Sequence, residues 1–254
     1  MVLFNKFNVI KSTFPNGERQ YYDLSELLRH SPRNIITLVY EDNRDLFDLA
    51  IVKYWFDDNA INGATVELRA EFLPYGQSDR KIGDAIFSFK YFAKFINSLN
   101  FDQVTIYDPH SLAMEAAIDK CYVEYPMNGV NLDNYDLMFY PDNSAAKKYS
   151  EIYDKPYRFG NKKRNPDTGE IICYEIIADR QDISGKKILL RDDICMDGRT
   201  FKEAAKTLNN MGAAQIDLYI THLMPTAEDF FLNYKDYGIT NFYSENTLRQ
   251  VWYE

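Results

Sequence analysis

Within Ile188-Leu-Leu-Arg-Asp-Asp-Ile-Cys-Met-Asp-Gly-Arg-Thr-Phe201 the hydrophobic period changes. Ile188-Leu189-Leu190 is a continuous apolar run without alternation, as expected of a parallel strand covered on both faces. From Thr200 the apolar residues Phe201, Ala204, Ala205, Leu208 and Met211 fall on one helical face. Gly212 closes that helix, and Ala214 to Thr221 forms the next strand. The stretch is one βαβ unit. Asp192 and Asp193 stand at the carboxyl end of its first strand, where open α/β sheets bind ligands. The loop Met196-Asp-Gly-Arg-Thr200 presents backbone N–H groups at a helix start, which suits an anion. Phosphate loop and paired carboxylates together suit a phosphorylated sugar held with a divalent metal.

The same alternation extends in both directions. Toward the N-terminus, strands are expected at Ile35–Tyr40, Ala64–Leu73 and Gln103–Tyr107. Helices are expected over Leu46–Phe56, over a face made by Ala85, Phe89, Phe92, Ile96 and Leu99, and from Leu112. A second series opens with a strand at Asp136–Tyr140, a helix at Ala145–Tyr153 and a strand at Ile171–Ile177. After the βαβ unit come a helix near Ala227–Tyr234 and a strand at Thr240–Tyr243. Arg158 to Gly169 is rich in Gly, Pro, Asn and basic residues, and a mobile loop is expected there. Phe14-Pro-Asn-Gly-Glu18 reads as a turn. The chain is therefore α/β, with two mostly parallel sheets flanked by helices, in domains 1–128 and 129–254.

Composition bounds the function. The 254 residues are 46% hydrophobic and 26% charged, which is globular. With 29 Lys plus Arg against 38 Asp plus Glu, the net charge is −9, which argues against nucleic acid or an anionic membrane as partner. No apolar run reaches the length of a membrane span, and the first residues lack a signal-peptide core. Three cysteines make no paired framework, so a reducing, cytoplasmic setting is expected. Neither GxxxxGK[ST] nor GxGxxG occurs, which removes the P-loop and the Rossmann nucleotide site.

Four strand ends carry polar residues: Gln77, Ser78, Asp79 and Arg80; Asp108 to His110; Asp142 to Ser144; and Asp192 to Thr200. In parallel sheets such ends gather on one edge of each sheet. Arg80, His110, Asp142 and Lys162 could then supply cation contacts, metal ligation and charge neutralisation for a polyphosphate. Asp142 is equally placed to cap the helix that follows it.

Taken in order, these motifs resemble the ribose-phosphate pyrophosphokinase (PRPP synthetase) family, whose members consist of two phosphoribosyltransferase-type domains. Phe14-Pro-Asn16-Gly-Glu18 resembles the family's adenine-contacting Phe-x-Asp-Gly-Glu. Tyr75-Gly-Gln77-Ser78-Asp79-Arg80 resembles its Tyr-x-Arg-Gln-Asp-Arg ATP segment, and Asp108-Pro-His110 its Asp-Leu-His. Tyr140-Pro-Asp142 resembles its Ser-Pro-Asp, and Lys162-Lys-Arg164 the Lys-Arg-Arg of its catalytic loop. Asp192, Asp193, Asp197, Gly198, Arg199 and Thr200 resemble its ribose- and phosphate-binding Asp-Asp-x-x-Asp-Thr-Gly-Gly-Thr. The resemblance implies ATP as co-substrate, with Mg²⁺ held by His110, Asp142, Asp192 and Asp193. It implies attack of a ribose 1-hydroxyl on the β-phosphorus, release of AMP, and Lys162 and Arg164 closing over the transferred group. It also implies a homo-oligomer, dimer or hexamer.

The departures bear on the acceptor. Gln77-Ser78 replaces Arg-Gln, Met196-Asp197 replaces Asp-Thr, and Arg199 replaces Gly. An Asp repels a terminal phosphate dianion but tolerates a diester within a diphosphate. The acceptor is therefore either ribose 5-phosphate or ADP-ribose, the latter as in phage relatives of the family that make ADP-ribose 1-pyrophosphate. Two other expectations stay open: a phosphoribosyltransferase consuming PRPP and a nucleobase, and a non-catalytic regulatory homologue.

Overall fold

A computed structural model of the protein describes residues 1–28, 31–164 and 171–247, with side chains except at 162–164, 171–173, 246 and 247. The chain divides into two compact units, Met1–Tyr125 and Pro126–Glu254, where 128/129 was the expected boundary.

Unit 1 contains β1 (Val2–Phe4), β2 (Phe7–Asn8), β3 (Ile10–Thr13), β4 (Arg19–Tyr21), α1 (Ser25–Leu28), β5 (Arg33–Leu38), α2 (Arg44–Asn59) and β6 (Thr65–Ala70). It continues with α3 (Ser88–Ser98), β7 (Gln103–Tyr107), α4 (Leu112–Ala117) and β8 (Cys121–Glu124). The sheet order is β2-β1-β5-β6-β7-β8. β5 to β8 are parallel, and β1 and β2 add antiparallel strands at one edge. Thr65-Val-Glu-Leu-Arg-Ala70 shows how the strands bury one face: Val66, Leu68 and Ala70 are buried while the residues between them are not. That face packs on Leu49, Val52 and Phe56 of α2 and on Phe89, Phe92 and Ile96 of α3. Ala85, expected on the α3 face, lies in an exposed turn before the helix.

Unit 2 contains β9 (Leu137–Tyr140), α5 (Asn143–Tyr149), β10 (Tyr157–Arg164), β11 (Ile171–Ile177), α6 (Arg180–Ile183) and β12 (Lys187–Cys195). It ends with α7 (Arg199–Asn210), β13 (Gln215–Leu223), α8 (Glu228–Asn233) and β14 (Asn241–Thr247). The order is β11-β10-β9-β12-β13-β14, parallel except for the antiparallel β10–β11 pair. One face of β12 buries Ile188 and Leu190 against Phe201, Ala204, Ala205 and Leu208 of α7.

Two local expectations are corrected. Residues 158–164, expected in a mobile loop, form most of β10; residues 165–169 of that loop lie outside the described ones. Gly160, which suggested a chain breaker, instead allows a close approach. A Cβ there would sit 2.1 Å from the Tyr174 hydroxyl oxygen. Second, β12 does not end at Leu190 but runs on to Cys195, so Asp192 and Asp193 belong to the strand itself. Successive strand residues face opposite sides of a sheet. The length of this strand therefore governs what the two aspartates can do.

Candidate functional site

In unit 1 the turn Phe14–Glu18 joins β3 to β4. Phe14 N–H donates to the Glu18 carbonyl at 2.8 Å and Gly17 N–H to the Phe14 carbonyl at 2.9 Å. Gly17 has φ +91°, the left-handed conformation such a turn requires. The hairpin is fastened to α2 by Arg19, which pairs with Asp45 at 3.3 Å and with Asp48. The Tyr21 hydroxyl adds a hydrogen bond to Asp48 at 2.7 Å. Both aspartates are buried, and hydrogen bonds to them hold the Arg19 guanidinium fully protonated despite its partial desolvation. Between hairpin and helix opens a cleft of about 680 Å³, lined by Phe14, Asn16 and Glu18 on one side and Asn43, Arg44 and Phe47 on the other. Its two phenylalanines are half-exposed or more, at 50% and 68%.

Asn43 links this cleft to the next motif. Its Oδ1 accepts from the Tyr40 hydroxyl at 3.0 Å and from the Tyr75 hydroxyl at 2.9 Å. Tyr75, at φ +66°, turns the chain sharply after β6 into the short 3-10 helix Gly76–Ser78. Gly76 then lies so close to the end of β7 that a Cβ there would be 3.1 Å from the His110 Cβ and 2.7 Å from the Met114 sulfur. The Gln77–Arg80 and Asp108–His110 motifs are thereby brought together. Gln77, Ser78 and Arg80 are exposed and make no side-chain hydrogen bond or ion pair with the described residues, and Asp79 is half-buried. Asp108 is buried with φ +42°, a left-handed residue that directs the chain out of β7 toward the exposed His110.

In unit 2, Asp142 caps α5: its Oδ1 accepts the N–H groups of Ser144 and Ala145, both at 3.0 Å. Next to it, the Tyr174 hydroxyl donates to the Pro141 carbonyl at 3.1 Å. Burial pushes the Tyr174 phenol up, and the nearby carboxylates of Asp142 and Asp192 push it further. That shared influence brings Asp142 and Asp192 into one neighbourhood. Asp192 has the parity of Ile188 and Leu190, and so belongs to the α7 face; its Oδ1 accepts from the Asp193 N–H at 3.0 Å. Asp193 belongs to the α5 face, buried, with Lys148 Nζ at 3.3 Å. The adjacent aspartates are thus divided between two faces. Among the described residues no three His, Cys, Asp or Glu side chains form a metal-binding group.

The loop after β12 carries a charge pair of its own. Asp197 accepts the Arg199 N–H at 3.0 Å and pairs with its Nε at 2.7 Å. Gly198, at φ +77°, lies under Phe230, and Thr200 is half-buried in the first turn of α7. Lys162 and Arg164 lie on β10, where their backbones pair with Tyr174 and Ile171 of β11. Asn43, Arg44, Phe47, Lys148 and Tyr174 were not expected at the site. Only Asn43 and Arg44 carried a signal, since they follow the end of β5 as the other motifs follow theirs. Among the described residues no helix is long and apolar enough to cross a membrane.

No family model matches the chain. It is similar to curated ribose-phosphate pyrophosphokinases. That of Saccharolobus solfataricus is 23% identical over 222 residues, covering 83% of this chain and 75% of the relative. That of Pyrococcus abyssi is 26% identical over 236 residues, covering 86% and 77%. The fold is that of the phosphoribosylpyrophosphate synthetase of Mycobacterium smegmatis, with a TM-score of 0.65 at 17% identity over 94% of this chain and 88% of that one.

Proposed function

We propose that this chain, which belongs to the ribose-phosphate pyrophosphokinase family, moves the β,γ-diphosphoryl group of ATP to the 1-hydroxyl of a ribose 5-phosphate-type acceptor and releases AMP. The observation that carries the reading is the approach of Gly76 to His110. It makes one continuous surface in unit 1, from the Phe14–Phe47 cleft through Asn43 and Tyr75 to Gln77–Arg80 and His110. An aromatic cleft suits a purine base. The exposed Arg80 and the backbone around Gln77 and Ser78 suit phosphates. The acceptor ribose falls to Asp192, and its phosphate to the loop Asp197–Thr200.

The donor chemistry fits Mg²⁺. Asp142 and Asp192 offer hard carboxylate oxygens in one neighbourhood, and Mg²⁺ is commonly held by one or two carboxylates together with substrate phosphates. Bound there, the ion would neutralise phosphate charge. His110, a nitrogen donor in unit 1, suits a contact to the nucleotide or to a metal-bound water. Lys162 and Arg164 would stabilise the charge of the transferring group.

The Asp197–Arg199 pair favours ADP-ribose over ribose 5-phosphate. A terminal phosphate dianion would meet the Asp197 carboxylate, whereas the phosphodiester of a diphosphate carries less charge there and leaves Arg199 for the next phosphate. Incubation with MgATP and each acceptor in turn tests both levels. AMP release with either supports the reaction; AMP with neither defeats it. Equal AMP with both defeats the preference.

A further inference from the structure

Asp192 is the half-exposed member of the Asp-Asp pair; of its two neighbours Arg191 is a buried cation and Asp193 is paired with one. The Arg191 guanidinium lies between two rings, 4.5 Å from the centroid of Tyr149 and 4.7 Å from that of Tyr219. It donates to the Thr221 hydroxyl at 3.0 Å and to the Asp192 carbonyl. On the other side, Asp193 pairs with Lys148, their side chains being 7% and 5% exposed. Lys148 Nζ lies 4.4 Å from the centroid of the same Tyr149 ring, which is itself fully buried. One ring of α5 thus takes both Arg191 and the lysine that pairs with Asp193.

We infer that Lys148 is a positioning residue for the acceptor site: by neutralising Asp193 on the α5 face it fixes the end of β12, leaving Asp192 as the one carboxylate of the pair that meets the acceptor ribose. The inference rests on the acceptor site proposed above. For both aspartates to meet one ligand, the strand would have to break between them. It does not, since Arg191 and Asp193 both reach α5, through Tyr149 and Lys148, which leaves Asp192 between them on the other face. Drawing Asp193 away would also leave Lys148 buried without a carboxylate that it now has, a costly state.

The test is a double-substitution cycle read by calorimetric affinity for ribose 5-phosphate and for ADP-ribose, and by KM for acceptor and for ATP. Asp193→Asn should weaken acceptor binding about tenfold and leave the KM for ATP within about twofold, because it leaves the charge of Lys148 unneutralised at the end of β12. Lys148→Met combined with Asp193→Leu removes both charges at once and should restore acceptor affinity to within about threefold of the wild type. Asp192→Asn should abolish acceptor binding in either background. A double variant as weak as Asp193→Asn overturns the inference, because Asp193 must then touch acceptor or metal. So does an equal loss for ATP and acceptor, which marks general damage. If Asp193→Asn does not fold, the double variant decides alone, by the same threefold and tenfold limits. Absence of acceptor binding in the wild type overturns the inference with its site, whereas acceptor binding without AMP release defeats only the reaction.

Discussion

The polar loops of the two units differ in how far their side chains are already committed. In unit 1, Gln77, Ser78 and Arg80 are exposed and hold no side-chain partner among the described residues. In unit 2, Asp142 caps a helix, Asp193 neutralises Lys148, and Asp197 pairs with Arg199. A ligand arriving at Gln77–Arg80 of unit 1 adds interactions to the structure. A ligand arriving at unit 2 must replace some. At Asp197 and Arg199 the replacement is cheap, because that pair is 41% and 61% exposed and screened by water. At Asp193 it is not, because both partners are buried.

The largest expected effect falls on Lys162, whose contacts are proposed to arise only during transfer. Lys162→Ala should lower kcat roughly 10²- to 10³-fold, the scale for removing one group that stabilises developing charge, while ATP still binds. Near-normal turnover would remove Lys162 from the mechanism and leave Arg164 to stabilise the transferring group. Next in size is a break in the frame of unit 2. Gly198→Ala places a Cβ 2.1 Å from the Phe230 ring at φ +77°. Left-handed strain and overpacking together should cost about 3 kcal/mol in urea unfolding. A loss below about 1 kcal/mol would mean that Phe230 moves freely and that the loop after β12 is softer than its contacts suggest.

Arg80→Ala sharpens the contrast from the side of unit 1. Because the guanidinium has no partner to lose among the described residues, stability should stay within about 0.5 kcal/mol of the wild type. ATP binding should nevertheless weaken by about 1.5–3 kcal/mol, the worth of a charge-assisted phosphate contact. Titration calorimetry and thermal unfolding on one preparation check both. A parallel loss of stability would show that Arg80 serves the fold.

Much of the α/β alternation was legible because buried strands and amphipathic helices write their periods plainly, as Ile188–Leu190 and Phe201–Leu208 do. β1, β2 and β8, of two to four residues each, are too short to show a period. β10 was read as loop because Gly160 and a basic run suggest exposure, and only Tyr174, a residue of the neighbouring strand, explains the glycine. The residue types of the candidate site were legible, but their orientations were not. Asp192 and Asp193 look equivalent until the end of β12 is known to be Cys195 and not Leu190, after which alternation assigns them to opposite faces. Lys148 gave no signal at all, since a lysine on a helix is ordinarily solvated.

The smallest expected change in stability separates two roles at one atom. Asp142 caps α5 through Oδ1 and is also the proposed metal ligand next to Asp192. Asn and Asp serve almost equally well as helix N-caps, whereas Ala cannot accept the two N–H groups. Asp142→Ala should therefore cost about 1 kcal/mol, and Asp142→Asn less than about 0.5 kcal/mol. Asparagine keeps the oxygen but removes the charge that makes a carboxylate a ligand for a hard cation. The asparagine variant should thus unfold like the wild type while needing more Mg²⁺ for half-maximal AMP release. An unchanged Mg²⁺ requirement would reduce Asp142 to a cap, and the committed polar groups of unit 2 would then be committed to the fold alone.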